Sequence, residues 1–250
     1  MSHLQSSIDQ RLVSLTRPTS LEAEQYQTLR LNLQRLKAAR DTRMIAMTSP
    51  TSGDGKTLNA INLAGALARG ADTRVLLVEA DLRRPTMAAQ LGLATTGVPG
   101  LTDIVLDPAA TLESAVQPLE FGFSVMGAGS PSAIHAVFNS PRLETLLREA
   151  RDQYDYVILD TPPVVPVSDC RLLTRWIDGL IVVVAAHKTP RRLVEEALNL
   201  LDNTTVLGIV LNRDDHPLFA HYRRQYYRGY SSARSRATAI KPTGSVDHTR

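Results

Sequence analysis

Residues 47–57 read Met47-Thr48-Ser49-Pro50-Thr51-Ser52-Gly53-Asp54-Gly55-Lys56-Thr57, and this stretch decides the fold of the 250-residue chain. The apolar run 44–47 precedes it and reads as a strand, whereas the apolar segment 58–68 follows it and reads as a buried helix. Strand, glycine-rich loop, Lys-Thr and helix in this order predict a phosphate-binding loop. In such a loop, successive backbone N–H groups and the positive end of the helix form a concave site for an anion. We expect Lys56 to reach the β- and γ-phosphates of a nucleotide, and the Thr57 hydroxyl to hold Mg²⁺.

The loop departs from the usual spacing at one position. Pro50 stands where the first glycine of the pattern is normally found, five residues before Gly55. A glycine-rich turn at the start of an ordinary helix is therefore the alternative interpretation. The strands that follow along the chain decide between the two.

Strands and helices alternate through the rest of the chain. We predict helices over 19–40, 56–69, 139–153, 168–176 and 190–201, and strands over 44–49, 74–80, 121–126, 154–160, 179–186 and 206–211. This alternation is typical of a doubly wound α/β fold with a mainly parallel sheet. The predicted organisation is a flexible N-terminal arm (1–18), one P-loop domain (19–215) and a flexible C-terminal tail (216–250).

Composition narrows the class of protein. The net charge is only +3, but residues 221–250 contain seven Lys or Arg and one acidic residue, Asp247. The single cysteine, Cys170, excludes an intramolecular disulfide and fits a reducing cytoplasm. No apolar run approaches the ~18 residues that a membrane span needs. We therefore expect a soluble, cytoplasmic protein that reaches a membrane only through a partner or its tail.

Carboxylates follow two of the predicted strands. Glu79 and Asp81 end the strand 74–80 two residues apart, so that both point to the same side, and Asp160 ends the strand 154–160. Because ligands of open parallel sheets bind beyond the carboxyl ends of the strands, these side chains and Lys56 should meet at one edge. A phosphate-binding loop next to carboxylate oxygens, which Mg²⁺ prefers as ligands, predicts a Mg²⁺–nucleotide site. A further carboxylate is then available to take a proton.

Three blocks of this sequence resemble the Walker A, A′ and B motifs of the bacterial tyrosine kinases (BY-kinases). They are residues 48–57, 75–85 and 154–163, and the A′ block with Leu82-Arg83-Arg84-Pro85 is the most specific of them. The resemblance extends over roughly residues 19–230. It implies ATP and Mg²⁺ as cofactors, and phosphorylation of a C-terminal tyrosine cluster by a neighbouring subunit in polysaccharide synthesis or export.

The resemblance also implies roles for individual residues. Glu79 takes the position of the base that accepts the tyrosine proton, and Arg83 or Arg84 stabilises the transferring group. The implied catalytic residues are Lys56, Glu79, Asp81 and Asp160; the implied metal ligands are Thr57, Asp81 and Asp160; the implied nucleotide contacts are Ser52, Gly53, Asp54, Gly55, Lys56, Thr57, Leu58 and Asn212, the last at the adenine.

The tail matches this resemblance. Four of the seven tyrosines, Tyr222, Tyr226, Tyr227 and Tyr230, fall within nine residues among Arg and Gly, a spacing that does not build a core. They are the expected phosphate acceptors. A basic tail that binds phosphate-rich or membrane surfaces is the alternative.

Two positions depart from the family pattern. Glu79 replaces an aspartate and is one methylene longer, which makes slow or absent kinase activity an open alternative; from sequence alone, we predict that Glu79→Asp keeps or raises autophosphorylation. The family's subunit-contact motif Glu-x-x-Arg-x-x-Arg is Glu24, Gln27 and Arg30 here, so that one charged bond becomes neutral.

Three functions therefore remain in play. The first is a tyrosine autokinase that is activated by a separate membrane-embedded chain-length or export protein, assembles as a homo-oligomer, and binds no nucleic acid. The second is a P-loop ATPase of the partitioning or division-site type. Such ATPases carry a second lysine where Thr51 stands, which counts against this function. The third is a catalytically weak nucleotide-binding regulatory subunit.

Overall fold

The computed structural model describes residues 8–94, 97–130 and 134–214. The strands are β1 (Met44–Thr48), β2 (Val75–Glu79), β3 (Val116–Pro118), β4 (Ser124–Met126), β5 (Tyr156–Asp160), β6 (Gly179–Ala185) and β7 (Val206–Asn212). The helices are α1 (Val13–Thr16), α2 (Leu21–Arg40), α3 (Lys56–Leu67), α4 (Met87–Leu91), α5 (Leu101–Leu106), α6 (Leu112–Ala115), α7 (Ile134–Asn139), α8 (Pro141–Gln153), α9 (Asp169–Leu173) and α10 (Arg191–Leu200).

The seven strands form one sheet in the order β3-β4-β2-β5-β1-β6-β7. Every neighbouring pair is parallel except β3 and β4, which are antiparallel. The predicted doubly wound, mainly parallel sheet is confirmed. The short edge strand β3 has no counterpart in the sequence prediction, because a segment of three residues that ends in Pro118 carries little strand pattern.

Helices cover both faces of the sheet. Alternate residues of β1 enter different clusters: Met44 and Ala46 pack in the core beneath α5–α10, whereas Ile45 and Met47 pack beneath α1–α4. All residues of β1, β2, β5 and β6 are buried. This double burial explains the unbroken apolar runs of these strands, because neither face meets water.

The N-terminal segment differs from the prediction of a flexible arm. From Ile8 onward it is packed against α3, with Leu12 fully buried. Ser14 N donates to the Asn62 side-chain oxygen of α3 at 2.8 Å, and Asp9 N donates to the carbonyl of Gln90 at 3.0 Å. The prediction missed this packing because Ile8, Leu12 and Leu15 lie in a helix of only four residues and its flanks, too short for a periodic pattern.

Helix α2 ends at the predicted residue but begins at Leu21, two residues later than the predicted start at 19. Ser20 is its N-cap, and the Ser20 side chain accepts from Ala23 N at 3.1 Å. Within the described ranges, no helix has both the length and the apolar character that crossing a bilayer requires.

The compact unit of the fold ends at Asn212. After it, only Arg213 and Asp214 are among the described residues. The predicted acceptors Tyr222, Tyr226, Tyr227 and Tyr230 lie outside them. The domain boundary at 215/216 stays a prediction.

Candidate functional site

The glycine-rich loop joins β1 to α3 and has the backbone that an anion site needs. Gly53 and Gly55 adopt φ values of 85° and 100°, which glycine reaches without strain. A Cβ atom at Gly55 would overlap the Asn212 side chain, so glycine is also required there for space. Helix α3 begins at Lys56, directly after the loop, and its positive end faces the loop.

Asp54 holds the loop in shape from within. Its carboxylate accepts from Thr51 N at 2.9 Å and from Thr189 Oγ1, in the turn after β6, at 2.7 Å. Its backbone carbonyl accepts from Asn212 Nδ2, at the end of β7, at 2.8 Å. The ends of β6 and β7 therefore fasten the loop. Two of the eight residues that we expected to contact a nucleotide, Asp54 and Asn212, are hydrogen-bonded to each other in this structure.

The predicted carboxylates converge on Lys56. Its Nζ lies 2.7 Å from Asp81 Oδ2 and 3.5 Å from Asp160 Oδ1, and Thr57 Oγ1 lies 3.5 Å from the same nitrogen. Burial alone would lower the pKa of Lys56, but the charges of Asp160 and Asp81 raise it above its ordinary value. The structure thus brings four predicted site residues from three motifs to one point.

Glu79 sits beside this cluster but has partners of its own. It is 1% exposed, and its Oε2 accepts from Thr86 N at 2.9 Å and from Met87 N at 2.7 Å, at the start of α4. Burial and the charge of Asp160 raise the pKa of Glu79 to about 9. Its other oxygen, Oε1, has no hydrogen-bond partner in the described part of the chain.

The oxygens near Lys56 suit a magnesium ion. Asp160 is fully buried, and among the described residues neither of its oxygens has a hydrogen-bond partner, although Lys56 lies near Oδ1. The described ranges contain no group of three or more His, Cys, Asp or Glu that could enclose a metal ion. Mg²⁺ bound to a nucleotide needs few protein ligands, since phosphates and water supply the rest, so Thr57, Asp81 and Asp160 fit it.

The two arginines of the A′ block have different partners. Arg83 forms a two-bond ion pair with Asp169, at 2.5 and 3.0 Å, and Asp169 is fully buried at the start of α9. Arg84 instead points to the loop, with Nη1 3.5 Å from Ser52 Oγ. The sequence left the choice between them open, and this geometry favours Arg84 as the arginine near the phosphates.

One cation near the loop carried no sequence signal. The Lys188 ammonium lies 3.6 Å from the position that a Cβ atom of Gly53 would take. Lys188 is exposed and forms no ion pair with another described residue. It is 132 residues from Lys56 along the chain, and only the pairing of β1 with β6 brings the two together.

The predicted subunit-contact residues lie on α2, away from these loops in sequence. Glu24 is exposed, and Gln27 and Arg30 are half-buried. Arg30 Nε is buried without a hydrogen-bond partner in the ranges that the structure describes. Tyr26 anchors the helix on α3, because its hydroxyl donates to Asn59 Oδ1 at 3.0 Å. The subunit contact itself stays a prediction.

Comparison of the sequence with protein families and with known proteins shows which of them this chain resembles. A family model described as "ParA: NUBPL iron-transfer P-loop NTPase" matches residues 41–238. The tyrosine-protein kinase YwqD of Bacillus subtilis (strain 168) is 33% identical over 226 residues, which are 89% of this chain and 93% of YwqD. The succinoglycan biosynthesis transport protein ExoP of Rhizobium meliloti (strain 1021) is 30% identical over 79% of this chain, but this match spans only 26% of ExoP.

A solved structure of a tyrosine kinase domain has a similar fold. The kinase domain of the Escherichia coli tyrosine kinase ETK superposes with a TM-score of 0.75 at 25% identity, covering 80% of this chain and 79% of that domain.

Proposed function

This chain belongs to the bacterial tyrosine kinases, within the ParA-like P-loop NTPases, and from that membership we propose that it transfers the γ-phosphoryl group of ATP to tyrosine hydroxyls. The acceptors that we propose are its own Tyr222, Tyr226, Tyr227 and Tyr230, modified by a neighbouring subunit. The convergence of Asp81, Asp160 and Thr57 on Lys56 Nζ carries this proposal.

Different residues of the site bind the phosphates and the metal ion. Backbone N–H groups from Ser52 to Leu58 hold the phosphates, and Lys56 neutralises their charge. Thr57, Asp81 and Asp160 would hold Mg²⁺, which would supply positive charge next to the phosphates of the nucleotide.

The acceptor reacts at its phenolic oxygen. That oxygen forms a bond to the γ-phosphorus while its proton passes to the ionised form of Glu79, and the bond from the γ-phosphorus to the bridging oxygen breaks, leaving its electron pair on ADP. Because the pKa of Glu79 is raised to about 9, this ionised form is the minor one at neutral pH. Arg84, beside Ser52, stabilises the charge on the transferring group. Arg83 is bonded to Asp169 and positions the A′ block.

The biological setting is proposed from relatives. ExoP is named a succinoglycan biosynthesis transport protein, and this chain matches only part of it. We infer that the present chain serves polysaccharide synthesis or export as a homo-oligomer that contacts itself through Glu24, Gln27 and Arg30. A separate membrane-embedded protein would hold it at the inner face of the membrane and activate it.

Incubation with labelled ATP and Mg²⁺ tests the proposal. We expect label on the tail tyrosines of the full chain, no label after Lys56→Met, and no label on the tail after all four tail tyrosines are replaced by Phe. The experiment should be run with and without the membrane partner. Unlabelled tail tyrosines under both conditions would rule out the autokinase.

The partitioning-type ATPase is the second candidate, because the family model that matches carries the ParA name. In this chain, the position of the second lysine of those ATPases is Thr51, and both its N–H and its hydroxyl are bonded to Asp54. Rapid ATP hydrolysis that is indifferent to the four Tyr→Phe changes would favour the ATPase.

A further inference from the structure

Asn59 is a buried polar residue in the first turn of α3, four residues after Gly55. Its Oδ1 accepts from the Tyr26 hydroxyl of α2 at 3.0 Å, and its Nδ2 donates to the carbonyl of Gly55 at 2.9 Å. Asparagine is a weak helix former, and a buried amide costs free energy unless both of its ends are bonded. Both ends are bonded here, so Tyr26, Asn59 and Gly55 form a continuous hydrogen-bonded chain from α2 to the glycine-rich loop.

The carbonyl of Gly55 is the point where this chain meets the loop. This carbonyl also accepts from Asn59 N at 3.0 Å, so that one residue supplies two donors to it. The preceding carbonyl, that of Asp54, accepts from Asn212 Nδ2 of β7 at 2.8 Å. Two asparagine side chains, one from α3 and one from β7, therefore hold two successive carbonyl groups of the loop.

A held carbonyl fixes the direction of the N–H group in the same peptide unit, because the two groups of a trans peptide are coplanar and point in opposite directions. The Asp54 carbonyl shares its unit with the Gly55 N–H, and the Gly55 carbonyl shares its unit with the Lys56 N–H. Lys56 is the first residue of α3, where the backbone N–H has no acceptor within the helix. The two asparagines therefore direct these two N–H groups away from themselves, which leaves them available to a phosphate.

Gly55 is where the loop most needs such a restraint. Its φ is 100°, and glycine moves between backbone conformations more easily than any other residue. An anion site binds more tightly when its donors are oriented before the anion arrives, since less ordering remains to be done on binding. The Tyr26 hydroxyl orients the amide in turn. Burial raises the pKa of Tyr26 to about 12, so this hydroxyl keeps its proton at neutral pH and remains a donor to Asn59.

We propose that Asn59 and Tyr26 are positioning residues of the phosphate-binding loop. Asn59 sets the direction of the Lys56 N–H through the Gly55 carbonyl, and Tyr26 holds the Asn59 amide in the orientation that this requires. A merely structural role predicts a loss of stability, whereas a positioning role predicts weaker phosphate binding by a chain that is still folded. The inference rests on the proposed function, because it takes the loop to bind the phosphates of a nucleotide.

Isothermal titration of the full chain with ADP and Mg²⁺ tests the proposal without requiring turnover. We expect Asn59→Ala to weaken binding roughly tenfold, and Tyr26→Phe, which removes only the hydroxyl, to weaken it roughly threefold. Asn59→Ser should recover most of the affinity, since a serine hydroxyl in a helix donates to the carbonyl four residues before it. Binding as weak in Asn59→Ser as in Asn59→Ala would overturn the role of the donor to Gly55.

Matched controls exist for both changes. Asn139→Ala removes the same kind of bond from α7, because Asn139 Nδ2 donates at 2.8 Å to the carbonyl of His135, four residues before it. Tyr156→Phe removes a hydroxyl at the first residue of β5, the end of the strand opposite Asp160. Neither control should change the affinity for ADP by more than about twofold. Thermal unfolding of every variant without nucleotide separates weaker binding from lower stability.

The backbone amide of Lys56 reports the proposed effect directly. The chain contains four lysines, Lys37, Lys56, Lys188 and Lys241, so NMR of a ¹⁵N-lysine-labelled chain shows few amide signals, and Lys56→Met identifies that of Lys56. Without nucleotide, we expect Asn59→Ala to shift the Lys56 signal and leave the Lys37 signal in place. Unchanged ADP affinity in Asn59→Ala, or a Lys56 signal that does not move, would overturn the proposal.

The outcomes separate this inference from the kinase function. A parent chain that phosphorylates its tail, with variants that bind ADP as it does, would remove the positioning role and leave the autokinase intact. A parent chain that binds no ADP with Mg²⁺ would remove the proposed function and the inference together. Weaker ADP binding in Asn59→Ala and Tyr26→Phe, in a chain that never phosphorylates tyrosine, would remove the kinase function and leave the positioning role in a nucleotide-binding protein.

Discussion

The two sides of strand β2 differ in how they are built. Toward β5 and β1, three polar residues, one from each of three sequence motifs, lie within 3.5 Å of the Lys56 ammonium. Toward β4, a mainly apolar cavity is enclosed by short segments with no recognisable motif. Charge chemistry demands particular residue types at fixed spacings, whereas an apolar wall can be made from many residues. The side with the motifs is therefore readable from sequence, and the other side is visible only after folding.

Lys56 gives the largest expected effect on the charged side. Lys56→Met removes the cation that faces the phosphates, and we expect tail phosphorylation to fall by ~10²–10³-fold or more. Quantitative phosphotyrosine measurement over time checks this. Arg148→Gln, which removes an exposed cation on α8 that is paired with Glu144, is the control and should leave the rate within about threefold. Full activity of Lys56→Met would show that the ion pairs around Lys56 are not required for phosphoryl transfer.

Glu79 lies between the two sides of β2. Its variants separate its role as the base from its role as the acceptor of the α4 N–H groups. Glu79→Gln keeps the length of the side chain and an acceptor for the α4 N–H groups but removes the base, so we expect the rate to fall about a hundredfold with the melting temperature little changed. The structure reverses the sequence-based prediction for Glu79→Asp. The shorter side chain would withdraw from Thr86 N and Met87 N, so we expect both the rate and the melting temperature to fall.

Activity in Glu79→Asp that equals or exceeds that of the parent chain would restore the sequence-based prediction. It would also show that the bonds to α4 are dispensable. Parallel thermal unfolding of both variants separates this result from a change in stability.

Lys188 is expected to give a smaller effect on the charged side. Lys188→Gln removes an exposed ammonium beside Gly53, and we expect roughly tenfold weaker binding of ATP with a smaller loss for ADP. Lys188→Arg should restore most of the affinity. Arg192→Gln, on the following helix, is the control. Isothermal titration with Mg²⁺ present measures the constants, and equal losses for ATP and ADP would place Lys188 away from the terminal phosphate.

The smallest expected effects are those of replacing Arg83 or Arg84. Arg83→Gln leaves the buried carboxylate of Asp169 unpaired, so we expect a melting temperature lower by a few degrees and a severalfold lower rate. Arg84→Gln should lower the rate severalfold with the melting temperature unchanged. A lower melting temperature for Arg84→Gln and an unchanged one for Arg83→Gln would mean that Arg84 has the structural role and Arg83 acts at the phosphates.

The sequence anticipated the sheet and the cluster around Lys56, because strand periodicity and motif spacing are local signals. It did not anticipate the bonds of Thr189 and Asn212 to Asp54, since these join positions 135 and 158 residues apart. Nor did the residue pattern predict that Glu79 and Asp81 have different partners. Both end the same strand, but only folding shows that one bonds Lys56 and the other bonds the start of α4.

The packing of the N-terminal segment on α3 has a consequence for synthesis on the ribosome. The bond from Ser14 to Asn62 spans 48 positions, and the side chain of Leu15 fills the space beside Gly65. Leu12 and Leu33 therefore leave the ribosome well before the helix that buries them exists. During that interval these leucines are exposed to water and to other chains. Because Leu12, Leu33 and α3 share one apolar cluster, the segment that begins at Lys56 must form before these two leucines can reach their final burial.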